Sequence, residues 1–121
     1  MIAEHAVNAT DVDRAVRRLG GVALRTPTLV SAVLDERAGT SVFCKAEGLQ
    51  RTGSFKLRGA WNAISAADGD ELAGGVITYS SGNHARALAF AARMRGSPAR
   101  SSSHPTRRPS SRQPSRARAP S

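Results

Sequence analysis

Lys45-Ala46-Glu47-Gly48-Leu49-Gln50-Arg51-Thr52-Gly53-Ser54-Phe55-Lys56-Leu57-Arg58-Gly59-Ala60 decides the reading of this chain. Ser41 to Glu47 reads as a strand. Gly48 to Gly53 reads as a loop, and a helix follows from Ser54 or Phe55 to Ala67, with Ser54 as its cap. Lys56 therefore falls at a loop-to-helix junction, where local sequence fixes its direction. A helix N-terminus also disfavours the cationic form of an amine. A lone lysine is ordinarily a solvated charge, so its surroundings carry the weight.

Outward from this stretch, strands and helices alternate. Gly75-Val76-Ile77-Thr78-Tyr79-Ser80 is a short apolar run, the pattern of a strand covered on both faces. Ser81-Gly82-Asn83 turns the chain, and an Ala-rich helix runs from about His84 to Arg95, stopped by Gly96. Upstream, Thr10-Asp11-Val12-Asp13 predicts a helix capped by Thr10, with Val12, Ala15, Val16 and Leu19 as its apolar stripe and Gly20-Gly21 as its end. Arg25-Thr26-Pro27 must be extended. Ser31 caps a short helix ending at Ala38, and Asp68-Gly69-Asp70 breaks the helix that carries Lys56. The expected fold class is α/β with parallel strands and flanking helices, its core built mainly of Val, Leu, Ile and Ala. Cys44 is expected to be buried in its strand.

Length and composition bound the rest. With 121 residues the chain makes at most one small domain. Its single cysteine, Cys44, excludes an internal disulfide or a Cys-based zinc cluster and fits a cytoplasmic setting. Residues 1–9 contain no apolar signal-peptide core, and no 18-residue apolar run is present to span a membrane. No metal site is expected. Gly48 and Gly53 have P-loop spacing, but Ser54-Phe55 follows where Lys-Ser/Thr would be required.

Ser80-Ser81-Gly82-Asn83-His84-Ala85 is the second informative stretch. Gly82 lets backbone approach a ligand, and the N–H groups opening the following helix favour an anion. By spacing alone a capped turn with no ligand is the favoured reading, since Ser, Gly and Asn are ordinary turn residues. Taken with the Glu-x-x-Gln-x-x-x-Ser-x-Lys-x-Arg-Gly-Ala run of residues 47–60 and with Arg25-Thr26-Pro27, it resembles the N-terminal part of the pyridoxal-phosphate (PLP) enzymes of the threonine dehydratase and serine racemase family. These have fold type II, the tryptophan-synthase-beta-like fold. The resemblance covers roughly residues 10–96. It implies that Lys56 is the Schiff-base lysine and general base, that Phe55 and Asn83 contact the cofactor, and that Ser80, Ser81, Gly82, Asn83 and His84 hold the substrate carboxylate. Ser81 becomes the acid/base on the cofactor face opposite Lys56. The implied reaction is α,β-elimination of L-threonine or L-serine to a 2-oxo acid and ammonia, with racemisation as the alternative. The implied partner is a small amino acid, and the full-length parent is expected to be a homo-oligomer. Arg86 departs from the family, which often has Gln there. The family's Gly-rich phosphate loop lies beyond residue 121, so the chain is expected to be an incomplete sheet with weak cofactor binding and little turnover.

Composition changes after Gly96. Residues 97–121 hold eight Ser, six Arg and five Pro but no acid and no large apolar residue, whereas residues 1–96 hold 12 Lys/Arg against nine acids. The boundaries expected are thus 1–96 for the catalytic-fold portion and 97–121 for a disordered basic tail. Ser101-Ser102-Ser103 stands where the family continues with an apolar strand. A one-base shift of GC-rich serine codons yields Val-Val-Val, so the tail is expected to come from a shifted reading frame. A second reading makes it a nucleic-acid-binding arm; its lack of aromatics and the abrupt junction stand against that.

Overall fold

Asn8, rather than Thr10, starts the first helix in the computed structural model, which describes residues 6–102. Asn8 Oδ1 accepts from the Asp11 amide at 3.2 Å while Asp11 Oδ2 accepts from the Asn8 amide at 3.1 Å. This reciprocal box satisfies two groups that a Thr10 cap would leave unpaired. α1 spans Ala9–Leu19 and closes on Gly20. The chain then runs extended through Pro27 into β1 (Thr28–Val30), α2 (Ala32–Ala38) and β2 (Phe43–Lys45). Ser31 occupies the N-cap position of α2 without a side-chain cap bond, and Gly39 ends it at φ 67°, a left-handed turn that glycine adopts without strain.

β1 and β2 pair antiparallel, Leu29 opposite Cys44 and Val30 opposite Phe43. This corrects the expectation of parallel strands throughout: the intervening α2 is short enough for the chain to double back. Cys44 is exposed, not buried, because no described element covers this ribbon and all three β2 residues face solvent.

A single 3-10 turn (Glu47–Leu49) leads to α3 (Lys56–Ala66). Asp68 does break this helix, but it also caps the next one: Asp68 Oδ1 accepts from the Glu71 amide at 2.8 Å, and α4 (Gly69–Ala73) follows. β3 (Val76–Thr78), α5 (Asn83–Met94) and β4 (Ala99–Ser101) then form a strand-helix-strand unit with β3 and β4 parallel. Regular structure thus continues past Gly96 as far as Ser101. Pairing of β4 needs only backbone, and Ser97 Oγ donates to Leu72 O at 2.9 Å to anchor its approach. Residues from Ser103 onward, with the basic-arm reading that rests on them, lie outside the described residues. β3 was expected to be covered on both faces, yet Ile77 is 74% exposed, since nothing described packs on that face.

The core lies between α3 and α5. Leu57, Ala60, Trp61 and Ile64 recur at three- and four-residue spacing on α3 and meet Ala87, Leu88 and Ala91 of α5, with Leu72 at the margin. Small alanines on α5 let the axes approach. Trp61 is the aromatic anchor, and its indole Nε1 donates to Arg18 O at 2.6 Å, tying α1 to α3. Among the described residues, no helix is long and apolar enough to cross a membrane.

Candidate active site

α3 and α5 run in the same direction. At one end, a Cβ built on Gly53 would lie 3.6 Å from Arg86 Nη1; at the other, Arg95 Nη2 donates to Ala67 O at 3.3 Å. Both helices therefore start at one end of the pair, and their first residues are Lys56 and Asn83. The structure thus brings the two sequence motifs to a common end. No hydrogen bond or ion pair among the described residues joins Lys56 to the turn of residues 80–84.

The Lys56 side chain is exposed, and its Nζ stands 4.8 Å from the Phe55 ring centre. Phe55 is itself 59% exposed, so it flanks the amine rather than packing in the core. Ser54 does not cap α3; its hydroxyl is buried without a partner among the described residues, as is that of Thr52. The chain's other lysine, Lys45, is engaged: its Nζ donates to Thr26 O at 3.2 Å and lies 3.9 Å from Glu47 Oε1.

Ser80, half-buried, accepts from the Gly82 amide at 3.3 Å, while Ser81, Gly82, Asn83 and His84 are exposed. No side chain caps α5. The first N–H groups of this 12-residue helix therefore lack intrahelical partners and carry the positive end of its dipole. Such a start suits a carboxylate. Arg86, by contrast, lines a cleft of about 360 Å³ with Arg51, Thr52, Phe90 and Arg93.

Sequence reasoning quoted Glu47, Gln50 and Thr26 but gave them no role; the structure gathers them around the loop before Lys56. Arg58 Nε donates to Glu47 Oε2 at 2.9 Å and Arg58 Nη2 to Oε1 at 2.6 Å, a two-pronged pair. Thr26 Oγ1 adds a donor to Oε1 at 2.6 Å. The Arg58 hydrogen bond is the chief reason that the Glu47 carboxyl is held at about 2, against the opposing effect of burial, and the Thr26 hydroxyl contributes. Arg58 is raised in turn by the same bond. Gln50 grips the Leu24 peptide from both sides, accepting from its N–H at 2.9 Å and donating to its C=O at 3.1 Å. The signal available in sequence was an acid opening the motif and an arginine closing it.

Fold and site together define an α/β unit that presents a lysine amine at the same end as an uncapped helix start. A family model described as pyridoxal-phosphate dependent enzyme matches residues 21–117. L-threo-3-hydroxyaspartate ammonia-lyase of a Pseudomonas species is 53% identical over 89 residues, covering 74% of this chain and 28% of that protein. Serine racemase of Dictyostelium discoideum is 45% identical over 89 residues, again 74% of this chain and 28% of the relative. Among solved structures, maize serine racemase superposes with a TM-score of 0.75 at 40% identity, over 82% of this chain and 31% of that one. The T.th. threonine deaminase gives 0.67 at 41% identity, over 77% and 33%. The chain belongs to the pyridoxal-phosphate dependent enzyme family, with the fold-type-II architecture of these neighbours. It spans less than a third of the length of the curated relatives it matches. The match reaches beyond Gly96, in keeping with the ordered β4.

Proposed function

We propose that this chain supplies the cofactor lysine and the substrate-carboxylate turn of a cytoplasmic, homo-oligomeric PLP enzyme that eliminates the β-hydroxyl of a small hydroxy amino acid, releasing a 2-oxo acid and ammonia. The observation that carries the reading is the shared end of α3 and α5, which sets Lys56 and Asn83 at the starts of two parallel helices. Lys45 is held by Thr26 and Glu47, so Lys56 is the lysine free to react.

The residues present fit the part of the cofactor that this region would hold. Lys56 Nζ bears no acidic partner among the described residues, Phe55 offers an exposed ring beside it, and Asn83 offers a donor and an acceptor. Bound PLP supplies an electron sink that acidifies the Cα–H of an amino acid. Lys56 Nζ, once neutral, accepts that proton as general base. The uncapped N–H groups of α5, with Ser80, Ser81 and His84, orient the substrate carboxylate. Holding the carboxylate fixes which Cα bond faces Lys56, an orientational gain that free amine in water lacks.

The names of the relatives, an ammonia-lyase, a threonine deaminase and serine racemases, support both elimination and racemisation. Racemisation needs a second proton carrier, and the exposed Ser81 hydroxyl is the group this chain offers for it. Elimination is the first reading, resting on the ammonia-lyase at 53% identity.

The test is incubation of the folded chain with PLP, reduction with borohydride and peptide mapping. The pyridoxyl label is expected on Lys56 in preference to Lys45, and the Lys56→Ala chain should lose it. Equal labelling of both lysines would refute the assignment.

A further inference from the structure

Glu47 and Arg58 stand at the two ends of the segment that delivers Lys56. They lie 11 residues apart in sequence, and two hydrogen bonds close the intervening chain into a loop. Within it, the Gly53 amide donates to Gln50 O at 2.7 Å, and Gly53 turns at φ 74°. Outside it, Arg58 Nη2 also donates to Leu24 O at 3.1 Å, so the same guanidinium fixes the extended segment that leads into β1. Leu57, between Lys56 and Arg58, is fully buried. At 3.6 residues per turn, Lys56 and Arg58 project roughly 160° apart, one on each flank of the buried stripe. Anchoring Arg58 on its flank therefore sets the rotation at which Lys56 leaves the other.

We infer that Glu47 and Arg58 are positioning residues for Lys56: their two-pronged pair fixes the first turn of α3, and so the direction of the Lys56 amine toward the cofactor carbonyl. The inference rests on reading Lys56 as the cofactor lysine. It assigns Thr26 a lesser share, since its hydroxyl donates to the oxygen of Glu47 that also receives Arg58 Nη2. A planar guanidinium can meet both carboxylate oxygens at once and an ammonium cannot, so charge alone does not suffice.

The experiment compares two reagents on the 121-residue chain. Pyridoxal phosphate with borohydride labels any accessible amine to a basal level and labels Lys56 above Lys45 only where a directed amine meets the bound cofactor, whereas reductive methylation with formaldehyde reports only that the amine is accessible. Lys56 labelling is measured by peptide mapping in the wild-type chain and in Glu47→Gln, Arg58→Lys, Thr26→Val and Glu47→Asp, with Trp61 emission reporting the fold. In Glu47→Gln and Arg58→Lys, pyridoxyl labelling of Lys56 is expected to fall roughly ten-fold, within the loss that a 1 Å misplacement can cause. Methylation of Lys56 and Trp61 emission should stay unchanged. Thr26→Val, which keeps the ion pair, should lose less, and Glu47→Asp should recover part of the labelling. Pyridoxyl labelling that persists in folded Glu47→Gln and Arg58→Lys overturns the inference while leaving Lys56 as the cofactor lysine. So does a loss that merely follows Trp61 emission, the mark of a structural role. If the wild-type chain shows no preference for Lys56 over Lys45, the reading of Lys56 fails and the inference with it.

Discussion

Acid should unlock the loop before Lys56, and Glu47→Gln isolates how much of the fold depends on it. The Glu47 carboxyl is held at about 2, well below its ordinary 4.5, and its side chain is only 15% exposed, so solvent screens the pair little. A displacement of that size corresponds to about 3 kcal/mol of stability. The sign follows from a folded-state value lower than the unfolded one. The contribution is complete above about 4.5 and is lost as pH falls toward about 2. By pH 3 the unfolded chain binds the proton and the folded chain mostly does not, so about 2 kcal/mol should have gone. Urea unfolding followed by Trp61 emission measures it, because Trp61 is the sole tryptophan and sits in the core. Near neutral pH, Glu47→Gln should be the less stable chain by about 3 kcal/mol, since it leaves Arg58 without its charged partner. Between pH 7 and pH 3 the gap between the two chains should narrow by about 2 kcal/mol. A gap that stays constant across that range would show that the Glu47 carboxyl is not depressed in the folded chain.

Three further outcomes are expected. Leu57→Ala should cost about 2–5 kcal/mol in urea unfolding, because Leu57 is fully buried where α3 meets α5 and small alanines opposite cannot fill the space. Gly75→Ala should release β4: a Cβ there would fall 2.8 Å from Pro98 O at a φ of 81°, and the Val76 amide, which donates to Pro98 O at 2.8 Å, should then exchange its hydrogen faster. Unchanged exchange at Val76 would argue against the close approach. Sequencing the coding DNA from codon 92 past codon 121 should reveal a one-base shift that restores an apolar strand at Ser101–Ser103; a frame confirmed as written removes that explanation.

Legibility in the sequence followed the physical range of each signal. Helix positions were readable because their spacing and stops are local, but buried faces were not: of the stripe expected on α1, Val12 and Val16 are exposed and Leu19 alone packs on the core, while Leu57, Trp61, Leu88 and Ala91, given no such role in the sequence, build that core. The helix stops at Gly20, Gly39 and Gly96 were equally local. Strand pairing is not local: nothing in Thr28–Val30 or Phe43–Lys45 states that they run antiparallel, and nothing in Ala99-Arg100-Ser101 announces a strand, because β4 is held through its backbone and presents all three residues to solvent. Asn8 was missed as a cap because Thr10 offered a similar pattern two residues on. The Lys56 and Ser80–His84 motifs were legible as a family pattern, but what holds Lys56 in place was not. Arg58 read in the sequence as either a bridge between elements or a ligand contact, and only the fold shows that it bridges, joining Glu47 and Leu24.

The distribution of buried polar groups points the same way as the ion pair. Five polar residues are buried among those described, and four of them, Thr26, Gln50, Thr52 and Ser54, belong to the loop before Lys56 or to the extended segment bonded to it. Burying a hydroxyl or an amide is unfavourable unless it finds a partner. Thr26 and Gln50 find theirs in Glu47 and Leu24; Thr52 Oγ1 and Ser54 Oγ find none among the described residues. A chain with so thin an apolar core would be more stable with Val or Ala at those two positions, if stability alone shaped the loop. Local rules give way where geometry has a task beyond folding, and here they give way within four residues of Lys56. The same segment that carries the strongest charge pair of the described fold also carries its unsatisfied hydroxyls. Both follow if the loop is built to hold one amine in one direction.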